Sequence, residues 1–184
     1  MSEAFERALR EVGDDYSSLP LWIAYIEFVA RGDTSLDDAK RNASLRVLYQ
    51  RAFAAPLAEL ERLWRHYEAF ETRVNKSLAK SALQDGAARY MASRSCGREL
   101  ALAGDAADRN ALAVPPRGVP SESRLIAAWQ RFIDLERTNP ARLDDAGCAR
   151  RVALVFEQAL LVLRHWLVFL LYIYIKIQSD FLVV

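Results

Sequence analysis

Chemistry needs a nucleophile beside a base, paired carboxylates, or a cluster of metal-ligating side chains. This 184-residue chain has two histidines, His66 and His165, and two cysteines, Cys96 and Cys148. His66 sits between Arg65 and Tyr67 in a helical pattern, and His165 lies near the end of the chain. Neither has a cysteine or an acid at motif spacing, and the four residues make no zinc-ligand pattern. Two distant thiols are no disulfide framework and fit a reducing compartment. The histidines read as ordinary surface or packing residues. Two acids do recur: Glu71 and Glu136 each follow a tryptophan, Trp64 and Trp129, by seven residues. That is two helical turns, and it points to a shared structural contact at a helix end. No catalytic, cofactor-binding or metal-binding residue is assigned, and no small-molecule substrate is expected.

Binding chemistry has one local candidate. Lys76, Lys80, Arg89, Arg94 and Arg98 make one helical stretch basic. The preferred reading is a solvated helix face; RNA phosphate or an acidic partner would also suit it. The whole chain carries a net charge of only +1, so no large field marks nucleic acid as the main partner.

The elements that must carry these residues are helices. An opening signature, Trp-x-x-(Tyr/Phe), occurs as Trp22/Tyr25, Trp64/Tyr67, Trp129/Phe132 and, doubtfully, Trp166/Phe169. A closing signature, (Phe/Tyr)-(Glu/Gln)-(Arg/Gln)-Ala, occurs at residues 5–8, at Tyr49 to Ala52 and at Phe156 to Ala159. Aromatics three apart share one helix face, and a nearby alanine leaves room for a partner's ring. The two signatures alternate, which is the mark of a helical array. With 52% hydrophobic residues, seven glycines and six prolines, the composition suits a folded helical domain. The expected fold is all-α, an α-solenoid of antiparallel helix pairs.

Taken in order, residues 2–11 form a closing helix capped by Ser2, with no opening partner before it. A solenoid should begin with a capping element, so this start is expected to be the interior of a longer array. Leu21 to Ala30 opens the first pair, Arg31-Gly32-Asp33-Thr34 ends that helix, and Leu36 to Phe53 closes the pair. Glu59 to Arg73 opens the second, and Lys76 to Ala103 follows, weakened by Gly86 and Gly97 at about 1 kcal/mol each against alanine. Residues 104–123 form one long proline-containing loop, read as a stiff connector in preference to a docking strand for an aromatic groove. Ser121 or Ser123 should cap the third opening helix, which Asn139-Pro140 stops. Asp144 or Asp145 starts the last closing helix.

The array should occupy residues 1–163, followed by a divergent apolar tail, 164–184. Ala159 is only seven residues before Trp166, without glycine or proline between, which leaves no room for a turn. Residues from about Asp144 to Ile177 are therefore expected to form one long helix or a badly packed kinked pair with an exposed apolar end. Ten apolar residues in a row, Trp166 to Ile175, span about 15 Å as a helix, half of a bilayer's ~30 Å hydrocarbon core. No membrane span is expected.

With these motifs placed, the sequence resembles the half-a-tetratricopeptide (HAT) repeat proteins of RNA processing. It is similar, more narrowly, to the HAT-repeat subunit of the cleavage stimulation factor, the suppressor-of-forked family. Leu63-Trp64-Arg65-x-Tyr67, Leu78-Ala79-Lys80, Tyr90-Met91-x-Ser93-Arg94, Trp129-x-x-Phe132-Ile133 with Asn139-Pro140, and Phe156-Glu157-Gln158-x-Leu160 to Leu163 carry the match. The most specific element is the loop Asp108-Arg109-Asn110-x-x-x-Val114-Pro115-Pro116. The resemblance covers about residues 1–163, part of the family's N-terminal HAT domain. It implies a nuclear, non-catalytic scaffold in pre-mRNA cleavage and polyadenylation that binds protein subunits of that machinery. RNA contact is implied either directly or through the complex. A HAT-repeat RNA-binding or splicing-complex scaffold is the alternative, and the Val-Pro-Pro loop argues against splicing. Family members dimerise through a C-terminal HAT domain whose sequence is absent from these 184 residues.

Overall fold

The computed structural model describes residues 2–32, 38–166, 171, 172 and 175. Its seven helices are α1 (Ser2–Val12), α2 (Leu19–Arg31), α3 (Asp38–Ala52), α4 (Leu60–Val74), α5 (Lys76–Ala106), α6 (Pro120–Arg137) and α7 (Asp145–Leu163). No strand occurs among the described residues. The chain divides into two compact units, Met1–Arg98 and Glu99–Val184.

In the first unit, neighbouring helices pack antiparallel, as short connections favour. Between α3 and α4, Arg46 meets Glu71, Tyr49 meets His66 and Phe53 meets Trp64, so the numbers rise on one helix as they fall on the other. Between α4 and α5, Tyr67 reaches Ala82, Trp64 stacks on Tyr90 and Glu61 pairs with Arg94. Pro20 occupies the first turn of α2, where its missing N–H costs nothing, and Gly32 follows the last residue. The buried Trp22, Tyr25 and Ile26 of α2 lie at i, i+3 and i+4, one stripe facing the core. The start expected at Leu36 and the stop at Asp33-Thr34 lie outside the described residues; α3 is helical from Asp38.

Gly86 and Gly97 do not interrupt α5, a single helix of 31 residues. Both face packed neighbours. A Cβ added at Gly86 would lie 3.6 Å from the Trp64 ring, and one at Gly97 would lie 3.6 Å from the Leu57 carbonyl oxygen. Packing on that side outweighs their poor helix propensity.

The second unit is built on the antiparallel pair α6 and α7. Neither Ser121 nor Ser123 is the cap of α6. Pro120 takes the first helical position, for which its fixed φ is suited, and both serines fall inside the first turn. Asn139 turns the corner to α7 with φ of +53°, a conformation asparagine tolerates. Its side-chain amide donates to the Leu143 carbonyl at 2.7 Å, and its oxygen accepts from the Leu143 N–H at 2.9 Å. Asp144 caps α7 as expected, accepting from the Gly147 N–H at 2.8 Å.

The tail corrects one expectation. Helix α7 ends at Leu163, Arg164 and His165 form a turn, and the Trp166 N–H bonds the Leu163 carbonyl at 2.9 Å. A turn therefore fits between Ala159 and Trp166 without glycine or proline, which excludes the one long helix from Asp144 to Ile177 but not the kinked alternative. Trp166 itself lies outside any helix. Leu171, Tyr172 and Ile175 are helical, Leu171 and Ile175 exposed, while the rest of 167–184, Phe169 included, lies outside the described residues.

Candidate functional site

The residues that define the repeat form the interior. Trp22, Tyr25, Tyr49, Ala52, Tyr67, Trp129, Phe132, Phe156 and Ala159 are buried. Trp64 departs from its counterparts in being only half-buried, with one face stacked on Tyr90 at 4.4 Å between ring centroids. On either side of the buried Ala52, the Tyr49 ring lies 5.0 Å from Tyr67 and the Phe53 ring 5.3 Å from Trp64. Each such ring contributes about 1.5–3 kcal/mol through burial.

The recurrent glutamates make the shared contact that their spacing implies. Glu71 accepts from Nε and Nη2 of Arg46 at 2.7 and 2.8 Å. Glu136 accepts from Nε and Nη2 of Arg151 at 3.1 and 2.6 Å. In both, a forked guanidinium clamps a buried carboxylate and ties an opening helix to a closing helix. The arginine donors escaped sequence reasoning because they hold no fixed position: Arg46 precedes Tyr49 by three residues, whereas Arg151 precedes Phe156 by five. A third fork, Arg51 to Glu6 at 2.8 and 3.0 Å, joins α3 to α1, and the Tyr25 hydroxyl also donates to Glu6. The Arg51 hydrogen bond is the main cause that holds the Glu6 carboxyl below its ordinary range.

The basic stretch of α5 separates into two groups. Arg94 pairs with Glu61, whose carboxyl it holds below the ordinary range, and Arg89 donates to the Gln50 carbonyl at 3.3 Å. These two arginines brace helices. Lys76, Lys80 and Arg98 stand exposed.

The family loop is fastened at both ends. Asp108 has φ of +44° and turns the chain beyond α5. The Arg109 guanidinium lies over the Phe132 ring at 5.9 Å and against Gly104, where an added Cβ would meet it at 3.0 Å. At the other end the Glu122 carboxylate accepts from the backbone N–H groups of Arg117, Gly118 and Val119, at 2.8, 2.8 and 3.1 Å. No motif marked Glu122, since a single acid near a helix start is common. Between these ties, Asn110, Val114, Pro115 and Pro116 are exposed and outside regular structure.

Nothing resembling a catalytic centre is assembled among the described residues. His66 is exposed, its Nδ1 2.7 Å from the Tyr49 hydroxyl, a phenol whose pKa burial pushes up. His165 is exposed, and its Nε2 lies 3.4 Å from the Nε of Arg164. Cys96 is buried, Cys148 is half-buried, and burial pushes the Cys148 thiol up, away from reactivity. No cluster of acids, histidines and cysteines that could hold a metal is present among the described residues. None of their helices is long and apolar enough to cross a membrane.

Comparison with known proteins accords with this architecture. The family model described as suppressor of forked protein matches residues 1–174. Cleavage stimulation factor subunit 77 of Arabidopsis thaliana is 36% identical over 168 residues, covering 90% of this chain and 23% of the relative. Protein suppressor of forked of Drosophila melanogaster is 34% identical over 169 residues, covering 90% and 22%. The mRNA 3'-end-processing protein RNA14 of Cryptococcus neoformans is 33% identical over 169 residues, covering 90% and 16%. The chain thus spans less than a quarter of the length of these relatives. A crystal structure of CstF-77 superimposes with a TM-score of 0.67 at 22% identity, over 86% of this chain and 32% of that one, which establishes the shared helical-repeat fold. With the match running through 174 of 184 residues, the chain belongs to the suppressor of forked protein family.

Proposed function

We propose that this chain is a non-catalytic protein-binding scaffold in the nuclear machinery that cleaves and polyadenylates pre-mRNA 3' ends. The observation that carries the reading is that relatives named for cleavage stimulation and mRNA 3'-end processing align with 90% of the chain. The physical support is rigidity without chemistry. Forked ion pairs and stacked rings hold helices in fixed register, which presents surface rather than a reaction centre. The partners are protein subunits of that machinery.

A direct RNA-binding role is the second reading, and Lys76, Lys80 and Arg98 are its support. Two of the five basic residues of that stretch already bind within the fold. RNA affinity should therefore be weak and strongly salt-dependent. The test is addition of the purified chain to an in vitro cleavage reaction, with binding to isolated cleavage-factor subunits measured in parallel. Capture of a subunit and competitive inhibition of cleavage are expected. Tight, sequence-selective RNA binding at physiological salt, without subunit binding, would overturn the scaffold reading in favour of the second.

A further inference from the structure

Helices α1, α2 and α3 enclose a groove of about 520 Å³ that opens to solvent. Its floor is apolar, formed by Phe28 and Val29 of α2 with Val47 and Leu48 of α3. Val47 is 56% exposed, a branched hydrocarbon left facing water in the middle of α3. Phe28 cannot offer a free ring to a base, because it packs against Phe5 at 5.4 Å between centroids.

The rim is cationic. Lys40 and Arg41 project from the first turns of α3, and Arg51 stands further along the same helix. Among the described residues the lining contains one acid, Glu6, and that acid is already neutralised by both branches of the Arg51 guanidinium. Arg41 has an intrahelical partner in Asp38, whose side chain is 80% exposed. With the Asp38 carboxylate so open to water the pair is weak, so Arg41 can exchange Asp38 for the carboxylate of a docked segment. With Arg51 held by Glu6 and Arg41 by Asp38, the described residues leave one surplus positive charge, that of Lys40, beside the apolar lining.

We propose that this groove docks a protein segment in which an aliphatic or aromatic anchor is flanked by carboxylates. The anchor covers Val29, Val47 and Leu48 while the carboxylates meet Lys40 and Arg41. The proposal deepens the scaffold reading and rests on it. Charge complementarity selects the acids, and the hydrocarbon floor selects the anchor. A single-stranded nucleic acid would satisfy the cations but leave the floor bare, since such ligands need exposed rings on which to stack.

The experiment is fluorescence anisotropy of the full chain with a labelled peptide that repeats Glu-Glu-Leu. Controls are the same peptide with Gln for Glu, the same peptide with Ser for Leu, and labelled oligouridine. The acidic, apolar peptide should bind, and both altered peptides should bind about tenfold more weakly or worse. The double variant Lys40→Glu with Arg41→Glu, and separately Ser44→Asp on the groove wall, should each weaken binding by about tenfold with an unchanged helical circular dichroism signal. Arg98→Glu on α5 should change nothing. Absence of binding, equal binding of the Gln peptide, or indifference to both groove variants would overturn the proposal. Preferential oligouridine binding lost in the same variants would overturn it too and make the groove a phosphate site. Retained binding of cleavage-factor subunits by the groove variants would separate failure of the groove from failure of the scaffold reading.

Discussion

Arg151 grips both carboxylate oxygens of Glu136 with the two side chains only 5% and 2% exposed, a fully enclosed ion pair between α6 and α7. Its counterpart in the first unit is more open on one side, since the Arg46 side chain is 38% exposed against 3% for Glu71. Removing one partner of an enclosed pair leaves a stranded charge and costs about 3–5 kcal/mol. Arg151→Ala should therefore destabilise its unit by that amount in equilibrium denaturation, and Arg46→Ala by clearly less. A double change of Arg151 and Glu136 to Met and Leu should recover most of the loss. If Arg46→Ala proves the costlier, solvent access is not what sets the strength of these pairs.

Trp22 and Trp129 differ in one hydrogen bond. The Trp22 indole N–H donates to the Gly13 carbonyl at 3.0 Å, whereas the buried Trp129 Nε1 has no partner among the described residues. An unsatisfied buried donor costs about 1–3 kcal/mol. Trp129→Phe should consequently be milder than Trp22→Phe, although Trp129 is the more deeply buried of the two. Trp129→Ala, which opens a full cavity, should still cost about 3–5 kcal/mol. Thermal denaturation of the three variants decides the order.

Gly86→Ala should stabilise the protein. The added methyl would meet the Trp64 and Tyr67 rings at 3.6 and 3.7 Å, which is ordinary contact, while the helix gains about 1 kcal/mol of propensity. A lower melting temperature in the variant would show that α5 and α4 are packed more tightly than these distances imply.

Acid should loosen the α1–α3 and α4–α5 contacts together. Glu6 and Glu61 both have lowered pKa values, caused first by their hydrogen bonds to Arg51 and Arg94. A carboxyl that titrates lower when folded than unfolded adds stability above its unfolded pKa, about 4.3, and that stability fades as pH falls through the folded value. Denaturation midpoints should hold steady from neutral pH down to that region and then fall. Glu6→Gln and Glu61→Gln should each flatten the decline, and an unchanged acid slope in the double variant would refute the assignment.

Deleting residues 164–184 should reduce self-association. Leu171 and Ile175 are 59% and 57% exposed, and apolar side chains displayed in this way favour association. Light scattering should fall while the helical circular dichroism signal of α1 to α7 persists. Collapse of that signal would show that the tail is a folded cap.

The helices were legible because Trp22, Tyr25 and their counterparts repeat at a spacing that only a helix turns into a face. The glutamates at seven residues past Trp64 and Trp129 were legible as acceptors for the same reason. Their arginine partners were not, since the donor's position depends on how two helices are offset, which no local pattern records. The basic stretch of α5 looked uniform for a related reason: Arg94 finds Glu61 and Arg89 finds Gln50 only after α5 folds back on α4 and α3. The groove beside Val47 takes residues from three helices, and its exposed valine reads in sequence as one more apolar position of α3. At the tail the sequence left a continuous helix and a kinked pair both open, and only the turn formed by Arg164 and His165 excludes the first.

The antiparallel register also sets how this chain comes to be folded. The side-chain hydrogen bonds that join one helix to another close spans of modest length: 15 residues for Arg151 with Glu136, 25 for Arg46 with Glu71 and 45 for Arg51 with Glu6. Closing short spans costs little chain entropy, and proteins dominated by near neighbours cross their folding barrier quickly. Each helix can therefore find its partner soon after it leaves the ribosome, before distant sequence exists to compete for it. Synthesis itself lays the array down from one end, and α1 waits only for Arg51 to be made before its own carboxylate is claimed.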